Sequence, residues 1–437
     1  MNQPESESVS NYSISTKKSK ELFLRAQKVM PSGSTRAPFY RTPYPLYIRS
    51  ARGCYLWDVD GNELIDFVNN MGPLILGHRH PSVEKSIMNQ VENFWCGGPT
   101  EMEIRLAEMI LKEYPSTQKL LFTPTGTEAV MKLVRAARSK SHKKKVAMAR
   151  GAFHGTSDVS VSDSGIPDEV RQLSVRFKYN DEESFRLMLS ESKDDLAAVI
   201  LEGVLGPAGS VPPTKEFLQA VREETARNGI FLILDEVVTG FRLARGGISE
   251  LFHVQPDGVV LGKIIGGGFP VGALLGPDDV MGEFSRAASE SPLVGEAKIS
   301  HGGTFNAFPV TMAAGLATLQ ELTPEVYTHL DSLGYDIRKL LTQICAEEGI
   351  PGYITGIGSI FGLHFTTEPV KNFETAQGSD EKKGRIFDLL MLNSGINLAP
   401  FHSSFCSTPM DEKEIKHFEM AARKALLDIR SLDERVN

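Results

Sequence analysis

The chain has little of what several protein classes require. It holds 4 cysteines in 437 residues, and these are far apart in the sequence and follow no metal-ligand spacing (Cys54, Cys96, Cys345 and Cys406). Reduced thiols in a cytoplasmic protein are therefore the expectation. No stretch is apolar over the length of a membrane span, and the first twenty residues contain no apolar core of a signal peptide. These absences disfavour a disulfide-stapled fold and a membrane protein.

Negative charge outweighs positive charge, with 55 Asp and Glu against 47 Lys and Arg. The formal net charge is −8 at pH 7, which argues against a surface for nucleic acid or anionic lipid. The run Lys143-Lys-Lys145 is better explained as a solvated turn than as a binding patch. Small molecules are therefore the expected partners.

Strand and helix patterns alternate from about residue 70 to 325. A helix predicted over 214–228 lies between strands predicted over 196–202 and 230–235, which is a βαβ unit. The pattern predicts the α/β class, with a mostly parallel sheet covered on both faces. The segments before 70 and after 325 lack this regularity, and the polar residues 1–14 predict a mobile tail.

Two predicted strands end in groups that can cooperate chemically. Residues 231–234 are apolar and run directly into Asp235 and Glu236, while Lys263 follows a second apolar run and precedes three glycines. Ligands of open α/β sheets bind beyond such strand ends. A buried lysine can act as a neutral nucleophile, and an acid can keep a pyridine nitrogen protonated. A lysine and an acid in these roles are the two groups that pyridoxal phosphate needs. Taken singly, Lys263 could be a surface lysine and Asp235 a capping residue.

A third segment can bind the phosphate of such a cofactor. Lys119–Phe122 predicts a strand, and residues 123–128 turn into an amphipathic helix. Gly126 permits close backbone approach, while Thr125 and Thr127 add hydroxyls beside the free amides of a helix N-terminus, which favour a phosphate. Simple helix capping is the alternative explanation for this segment.

Five motifs together carry a family resemblance. They are Gly126-Thr-Glu-Ala129, Phe153-His-Gly155, Asp235-Glu-Val-Val-Thr-Gly-Phe-Arg242, Leu261-Gly-Lys-Ile-Ile-Gly-Gly-Gly-Phe-Pro-Val-Gly272 and Gly303-Thr-Phe-Asn306. In this order they resemble the class III pyridoxal-phosphate aminotransferases, from Pro31 to about Leu426. Within that class the chain looks most like the branch of glutamate-1-semialdehyde aminomutase and the β-amino-acid aminotransferases.

The resemblance implies a fold and an assembly. The fold is type I of the pyridoxal-phosphate-dependent transferases, with a large cofactor domain over 71–325 and a smaller α/β domain built from 15–70 and 326–437. It implies a homodimer with shared active sites, in which the hydroxyl of Thr304 reaches the cofactor phosphate of the neighbouring subunit.

The resemblance also assigns roles to single residues. Lys263 matches the lysine that forms the aldimine with the cofactor, and Asp235 matches the partner of the pyridine nitrogen. Phe153 and Val237 match the residues on the two faces of the ring, although both could be plain core residues. Four further residues complete the predicted cofactor site: Gly126 and Thr127 at the phosphate, Thr304 from the neighbouring subunit, and Glu202 near the ring hydroxyl.

The chain departs from the family pattern at two places. Gly203 follows Glu202 where the family usually has proline, which makes the predicted role of Glu202 less certain. In the stretch 395–405 the aminomutases carry a glutamate and some β-amino-acid enzymes an arginine, whereas this chain has His402 and Ser403.

The expected substrate carries a carboxylate. Arg36 matches an arginine that binds a substrate carboxylate in both enzyme types, and Arg41 is the alternative if the loop register differs. We therefore expect an aminotransferase that moves an amino group between an amino acid or amine, with a β-amino acid as one candidate, and a 2-oxo acid. The alternatives are glutamate-1-semialdehyde 2,1-aminomutase and a catalytically silent homologue.

Overall fold

The computed structural model describes residues 3–95, 97–161, 164–285, 297–400 and 403–434. Within these ranges the strands are β1 (Ile48–Arg52), β2 (Tyr55–Asp58), β3 (Glu63–Asp66), β4 (Lys119–Thr123), β5 (Lys145–Ala149), β6 (Ser174–Phe177), β7 (Leu196–Glu202), β8 (Phe231–Asp235), β9 (Gly258–Gly262), β10 (Gly272–Gly276), β11 (Tyr353–Thr355), β12 (Ile360–His364), β13 (Ile396–Asn397) and β14 (Ser404–Phe405).

The α-helices in the same ranges are α1 (Gln3–Ser15), α2 (Lys17–Ala26), α3 (Pro81–Asn93), α4 (Glu101–Glu113), α5 (Gly126–Ser141), α6 (Asp168–Arg171), α7 (Glu182–Ser192), α8 (Lys215–Arg227), α9 (Gly247–Leu251), α10 (Asp278–Met281), α11 (Pro309–Glu321), α12 (Pro324–Glu347), α13 (Phe373–Ala376), α14 (Glu381–Asn393) and α15 (Glu412–Glu434).

The chain divides into two compact units, which we name by their position in the sequence. The central unit comprises residues 81–206 and 212–323, and the terminal unit comprises 1–80, 207–211 and 324–437. The sequence prediction placed the large domain at 71–325 instead. The short segment 207–211, which interrupts the central unit in the sequence, was not expected to belong with the chain ends.

The central unit is built on a seven-stranded sheet in the order β4-β10-β9-β8-β7-β5-β6. Neighbours from β9 to β6 pair in parallel, whereas β10 is antiparallel to both β4 and β9. Every residue of β7, β9 and β10 is buried, as expected for strands covered on both faces. The predicted mostly parallel α/β sheet is confirmed.

Helix α8 shows how closely local sequence signals specify this unit. It spans Lys215–Arg227, one residue inside each end of the predicted range, and the Thr214 hydroxyl caps it by accepting from the Phe217 amide at 3.2 Å. Strand β7 has the predicted bounds, and β8 begins one residue later than predicted. Together they form the predicted βαβ unit.

The terminal unit joins the two ends of the chain in one sheet. Its four-stranded sheet has the order β1-β2-β3-β13, and its three-stranded sheet the order β11-β12-β14. Strands β3 and β13 pair in parallel, with Ile65 opposite Ile396. Helix α14 packs on α15 and on α1, and α12 packs on α15 and β12.

The N-terminal residues correct one prediction. Where the polar sequence of residues 1–14 predicted a mobile tail, Gln3–Ser15 form helix α1. Tyr12 is 1% exposed, donates a hydrogen bond from its hydroxyl to the Tyr44 carbonyl oxygen at 2.8 Å, and packs against the Tyr44 ring with centroids 5.1 Å apart. A buried aromatic side chain thus helps to anchor a helix whose average composition gives no such signal.

The described residues contain no helix that is both long and apolar enough to cross a membrane.

Candidate functional site

Lys263 directly follows β9, whose neighbour β8 places Asp235 opposite Val260. Its φ of +49° lies in the left-handed region, which is uncommon for a residue with a side chain. The pKa of the Lys263 amine is lowered from 10.5 to about 8, mainly by burial and also by Arg242, while the carboxylates of Asp235 and Glu202 oppose the shift. A substantial share of the amine is therefore neutral near pH 8, as a nucleophilic lysine requires.

The glycines after Lys263 allow its loop to pack on helix α11. A Cβ atom on Gly267, whose φ is +58°, would lie 2.5 Å from the Ala314 carbonyl oxygen. A Cβ atom on Gly315 in α11 would in turn collide with the carbonyl oxygen of Ile265. The close backbone approach predicted from the glycine run is therefore an approach to α11, which fixes the lysine loop within the central unit.

Asp235 ends β8 and is held by two donors. It is 6% exposed, its Oδ2 lies 2.8 Å from Nδ1 of His154, and its Oδ1 accepts from the Val237 amide at 3.1 Å. His154 is 1% exposed, and its Nε2 has no hydrogen-bond partner among the described residues. Sequence reasoning cited the Phe-His-Gly motif only for its phenylalanine, so the contact of His154 with the acid was missed.

Glu202 ends β7 and holds the loop that carries Phe153. Its Oε1 accepts from the Phe153 amide at 2.6 Å, and its Oε2 accepts from the Gly206 amide at 3.1 Å. The pKa of the Glu202 carboxyl is raised to about 7, mainly by burial and also by the charge of Asp235. His154 opposes this shift. Glu202 is therefore tied to the motif that also supplies His154.

The glycine after Glu202 has a local structural reason. The Gly203 amide donates to the Asp235 carbonyl oxygen at 3.2 Å, which a proline cannot do. A Cβ atom at this position would lie 2.6 Å from Oγ1 of Thr239 and 2.7 Å from Cγ1 of Ile248. Gly203, at the position where the family usually has proline, thus adds a backbone hydrogen bond between the ends of β7 and β8.

Glu236, the neighbour of Asp235, serves another purpose. It is fully buried and accepts hydrogen bonds from the Ile248 amide at 3.0 Å, from the Ser249 amide at 2.9 Å, from the Ser249 hydroxyl at 3.1 Å and from the Thr239 hydroxyl. These donors occupy its carboxylate and hold the start of α9 against the loop after β8. Of the two adjacent acids, Asp235 is the one oriented towards His154.

The predicted phosphate segment forms the expected strand, turn and helix. Thr125 caps α5 by accepting from the Glu128 amide at 3.2 Å, so its hydroxyl serves the helix rather than a ligand. The amides of Gly126 and Thr127 lie in the first turn, where a helix provides no backbone acceptors. A Cβ atom on Gly155 would lie 2.7 Å from Cα of Thr127, and one on Gly126 3.1 Å from Cγ2 of Val237. The phosphate segment, the Phe153 loop and Val237 therefore meet.

Two predicted site residues lie at the surface of the single chain. The Phe153 side chain is 57% exposed, and Thr304 is exposed in the loop that precedes α11. An aromatic ring that packs against a ligand or a second chain is expected to be exposed in this way when a single chain is considered without them. Neither residue contributes to the core of the central unit.

The two candidate arginines differ in how they are held within the terminal unit. Arg36 is exposed, its guanidinium carbon lies 4.1 Å from the centroid of the Phe39 ring, and it donates to Oδ1 of Asn70. Arg41 is partly buried and donates from Nη2 to Oδ1 of Asn397 at 2.8 Å and to the Leu398 carbonyl oxygen. Arg36 is thus oriented yet open, whereas Arg41 supports the backbone after β13.

The stretch that replaces the family's glutamate or arginine is only partly described. His402 lies outside the described residues. The Ser403 hydroxyl is buried 2.8 Å from the Ser210 hydroxyl, so it joins the segment 207–211 to the rest of the terminal unit.

The central unit fits pyridoxal phosphate on its own geometry. The buried Nε2 of His154 has no partner among the described residues, the carboxylate of Asp235 is buried beside it, and the Lys263 amine has a pKa lowered to about 8. The first turn of α5 offers amides to a phosphate, and only glycine fits at 155 beside Thr127. This combination defines a pyridoxal-phosphate-dependent enzyme of fold type I.

Comparison with known proteins narrows the class to a family. The sequence model of the class III aminotransferases matches residues 38–410, so the chain belongs to that family and uses pyridoxal phosphate as its cofactor. Glutamate-1-semialdehyde 2,1-aminomutase of Methanocaldococcus jannaschii is 36% identical over 94% of this chain and 96% of its own length.

Solved structures give the same family from the fold. An omega-transaminase from Sphaerobacter thermophilus matches with a TM-score of 0.89 and 36% identity, over 94% of this chain and 98% of its own. A β-phenylalanine aminotransferase from Variovorax paradoxus matches with a TM-score of 0.89 and 30% identity, over 97% and 96%. The resemblance drawn from the five motifs is confirmed.

Proposed function

We propose that the chain is a transaminase in which Lys263 is the catalytic lysine and a carboxylate-bearing amine donates its amino group to a 2-oxo acid. The observation that carries this proposal is the Lys263 amine itself, buried at the end of β9 with a pKa lowered to about 8 and with Asp235 and Glu202 near enough to influence it. Bound pyridoxal phosphate supplies an aldehyde that takes up amino groups and a ring that accepts electron density.

The residues around Lys263 divide the remaining tasks. Asp235 holds a proton at the pyridine nitrogen, and His154 holds the Asp235 carboxylate in place through its Nδ1. The amides of Gly126 and Thr127 bind the phosphate. Lys263, once its amine is free, moves the proton between substrate and cofactor carbon atoms. Glu202 fixes the loop of Phe153 and lies near the ring hydroxyl.

A homodimer completes this site. Phe153 and Val237 flank the ring, and Thr304 of one protomer reaches the phosphate bound by the other. The exposure of apolar side chains supports a second copy, because Phe153 is 57%, Phe305 60% and Trp95 69% exposed in the single chain. Cys54, Cys345 and Cys406 are buried and form no disulfide within the described residues, which supports a cytoplasmic protein.

Arg36 is the proposed carboxylate anchor. Its guanidinium is oriented by the Phe39 ring and by Asn70, and it keeps donors for a planar, bidentate partner. Arg41 already donates to two acceptors of its own unit. A donor with its carboxylate one or two carbons beyond the amine-bearing carbon, such as a β-amino acid, suits this arrangement.

The second candidate is the intramolecular exchange of glutamate-1-semialdehyde 2,1-aminomutase. It is favoured by the relative of that name at 36% identity over nearly the full length of both chains. The absence of the family's glutamate from 395–405 favours the transaminase, because the aminomutase must retain its intermediate between two half-reactions.

The dependence on an amino acceptor separates the two candidates. We expect holoenzyme with β-phenylalanine to turn over continuously when 2-oxoglutarate or pyruvate is present, and to stop after about one equivalent per site without it. The aminomutase would convert glutamate-1-semialdehyde over many turnovers with no added oxo acid. Such conversion, with no response to oxo acids for any donor, would replace the proposal by the second candidate. The Lys263→Ala variant controls for reactions in solution.

A further inference from the structure

The terminal unit contains a cavity of about 460 Å³, lined by residues of the 37–42 segment, of 207–208 and of helices α13 and α14. This volume lies within the usual range of small-molecule sites. Part of its wall is apolar, with Phe373, Leu389 and Pro400 among the lining residues. Four charged side chains also line it, and two of them, Arg41 and Asp388, form no ion pair with any described residue.

Arg41 has donors to spare inside the cavity. Its two hydrogen bonds both leave from Nη2, to Asn397 and to Leu398. A guanidinium has five N–H donors, and those on Nε and Nη1 make no hydrogen bond or ion pair with any other described residue. Arg41 can therefore bind a ligand carboxylate without giving up its structural contacts.

Asp388 carries a carboxyl group to which no other described residue bonds. It lies on α14, and in the part of the chain that the structure describes it makes no hydrogen bond and no ion pair, not even with Arg41. Burial raises the pKa of Asp388 to about 7, and the charge of Arg41 opposes this shift. Enclosed polar groups normally have partners, so an unpaired carboxyl facing a cavity calls for a ligand with donors.

Four other polar side chains of the cavity wall already have partners. Arg385 and Glu381 pair with each other at 3.1 Å near the surface, and the Ser379 hydroxyl accepts from the Phe365 amide at 2.8 Å. Nε2 of His364 lies 3.1 Å from the Thr355 hydroxyl. Tyr40, Thr42 and Gln377 add uncharged polar groups to the wall. Among the charged lining groups, the guanidinium of Arg41 and the carboxyl group of Asp388 are therefore the two that form no ion pair with any described residue.

We propose that this cavity binds an amino acid with an apolar side chain, whose carboxylate meets Arg41, whose ammonium group meets Asp388 and whose side chain packs against Phe373 and Leu389. A simple anion would satisfy Arg41 but be repelled by Asp388, and a simple amine would face the reverse problem. A zwitterion satisfies both groups at once, and the apolar wall adds burial of its side chain. The site requires no chemistry at Lys263.

Calorimetric titration with L-leucine tests the proposal. Loading the protein with pyridoxamine phosphate prevents the amino group of leucine from condensing with the cofactor. We expect leucine to bind, and to bind about tenfold or more tightly than either 4-methylpentanoate or 3-methylbutylamine, which each lack one of its charges. Asp388→Asn and Arg41→Gln should each weaken leucine binding by a similar factor.

Two further variants distinguish this cavity from the substrate site. Glu381→Gln changes a lining carboxylate that is already paired, and Arg36→Ala changes the proposed substrate anchor, so both should leave leucine binding unchanged. Because Asp388 has no hydrogen bond to lose within the described structure, Asp388→Asn remains a fair test if Arg41→Gln does not fold. The proposal is overturned if leucine gives no heat with the unmodified protein, if Asp388→Asn binds it equally well, or if Arg36→Ala abolishes binding.

Discussion

The acidic groups around the candidate cofactor site of the central unit and the charged groups proposed as ligand contacts in the terminal unit are held differently. In the central unit Asp235, Glu202 and Glu236 are buried, and each carboxylate accepts hydrogen bonds from its own unit. In the terminal unit Arg36 is exposed, and Asp388 makes no hydrogen bond with any described residue. The groups proposed to serve the cofactor, Asp235 and Glu202, are thus fixed in advance by hydrogen bonds, whereas the groups proposed to meet small molecules, Arg36 and Asp388, keep free binding capacity.

The cost of burying charge explains why the first set must be so well bonded. An uncompensated buried carboxylate is costly, and hydrogen bonds from backbone amides reduce that cost. Glu202 and Glu236 receive such bonds, yet burial still raises the pKa of both. Removing a hydrogen-bond partner of a buried carboxylate in the central unit should therefore have a larger effect than removing a charged contact group in the terminal unit.

The largest expected effect comes from Lys263→Ala. We expect turnover to fall by a factor of about ten thousand or more, since one amine both attaches the cofactor and moves the proton. Borohydride reduction followed by peptide mapping should place the cofactor on Lys263 in the unmodified protein. Lys132→Met is the matched control, because Lys132 is another buried lysine of the same unit. Label on Lys132, or on any lysine other than Lys263, would contradict the assignment.

Asp235→Asn should produce the next largest loss. It preserves shape but removes the charge that keeps the ring nitrogen protonated, and about a hundredfold loss in kcat corresponds to the roughly 3 kcal/mol typical of such electrostatic stabilisation. Glu236→Gln is the comparison, since it disturbs the donors from Ile248 and Ser249. It should lower the melting temperature more than the catalytic rate. A near-normal rate in Asp235→Asn, with a large loss in Glu236→Gln, would exchange the two roles.

Arg36→Ala tests the terminal unit, in which the proposed substrate anchor is exposed. The KM for carboxylate-bearing donors should rise by about 10- to 100-fold, on the 1.5–3 kcal/mol of a charged hydrogen bond, with little change for simple amines. The cofactor absorbance should remain as in the unmodified protein, because the affected contacts, Phe39 and Asn70, belong to the terminal unit. An equal loss for both kinds of donor would make Arg36 structural and Arg41 the next candidate.

The sequence allowed prediction of what depends on local pattern. The apolar strands ending at Asp235 and before Lys263, the capped helix α8 and the mostly parallel sheet follow from periodicity, capping residues and glycine placement. The phosphate segment was equally recognisable as strand, turn and helix. These features need only neighbours in sequence, and for this reason they could be predicted.

What required tertiary contacts was missed. The hydrogen bond between His154 and Asp235 joins residues 81 positions apart. The polar helix α1 is held by tertiary contacts, among them the hydrogen bond from Tyr12 to Tyr44 and the packing of the helix on α14. Arg36 and Arg41 differ in how they are held because Asn397 and Leu398 accept hydrogen bonds from Arg41, and these contacts join residues 356 and 357 positions apart in the sequence. No periodicity or motif specifies such pairings.

His154 offers a smaller and more selective test within the central unit. His154→Leu removes the donor to Asp235, and we expect roughly tenfold weaker cofactor binding and slower turnover, as for one lost charged hydrogen bond. His154→Asn can place an amide near the position of Nδ1 and should recover part of the loss. The pH titration of the cofactor absorbance should shift in the leucine variant. If both variants behave like the unmodified protein, Asp235 does not depend on His154.

The smallest expected effect concerns the acidity of Lys263. Only its neutral amine can capture pyridoxal phosphate, so the rate at which apoprotein becomes covalently loaded should rise with pH with a midpoint near 8, where burial and Arg242 place the pKa, rather than near 10.5. Glu202, with a pKa raised to about 7, is mostly negative at that pH and opposes the shift. Glu202→Gln removes this charge and should move the midpoint below 8, whereas Glu224→Gln, at the surface on α8, should not. Absorbance changes after rapid mixing across pH 6 to 11 measure both midpoints. A midpoint near 10.5 would mean that the amine of Lys263 is solvated like a surface lysine, which would remove the contrast between the closed central unit and the open terminal one.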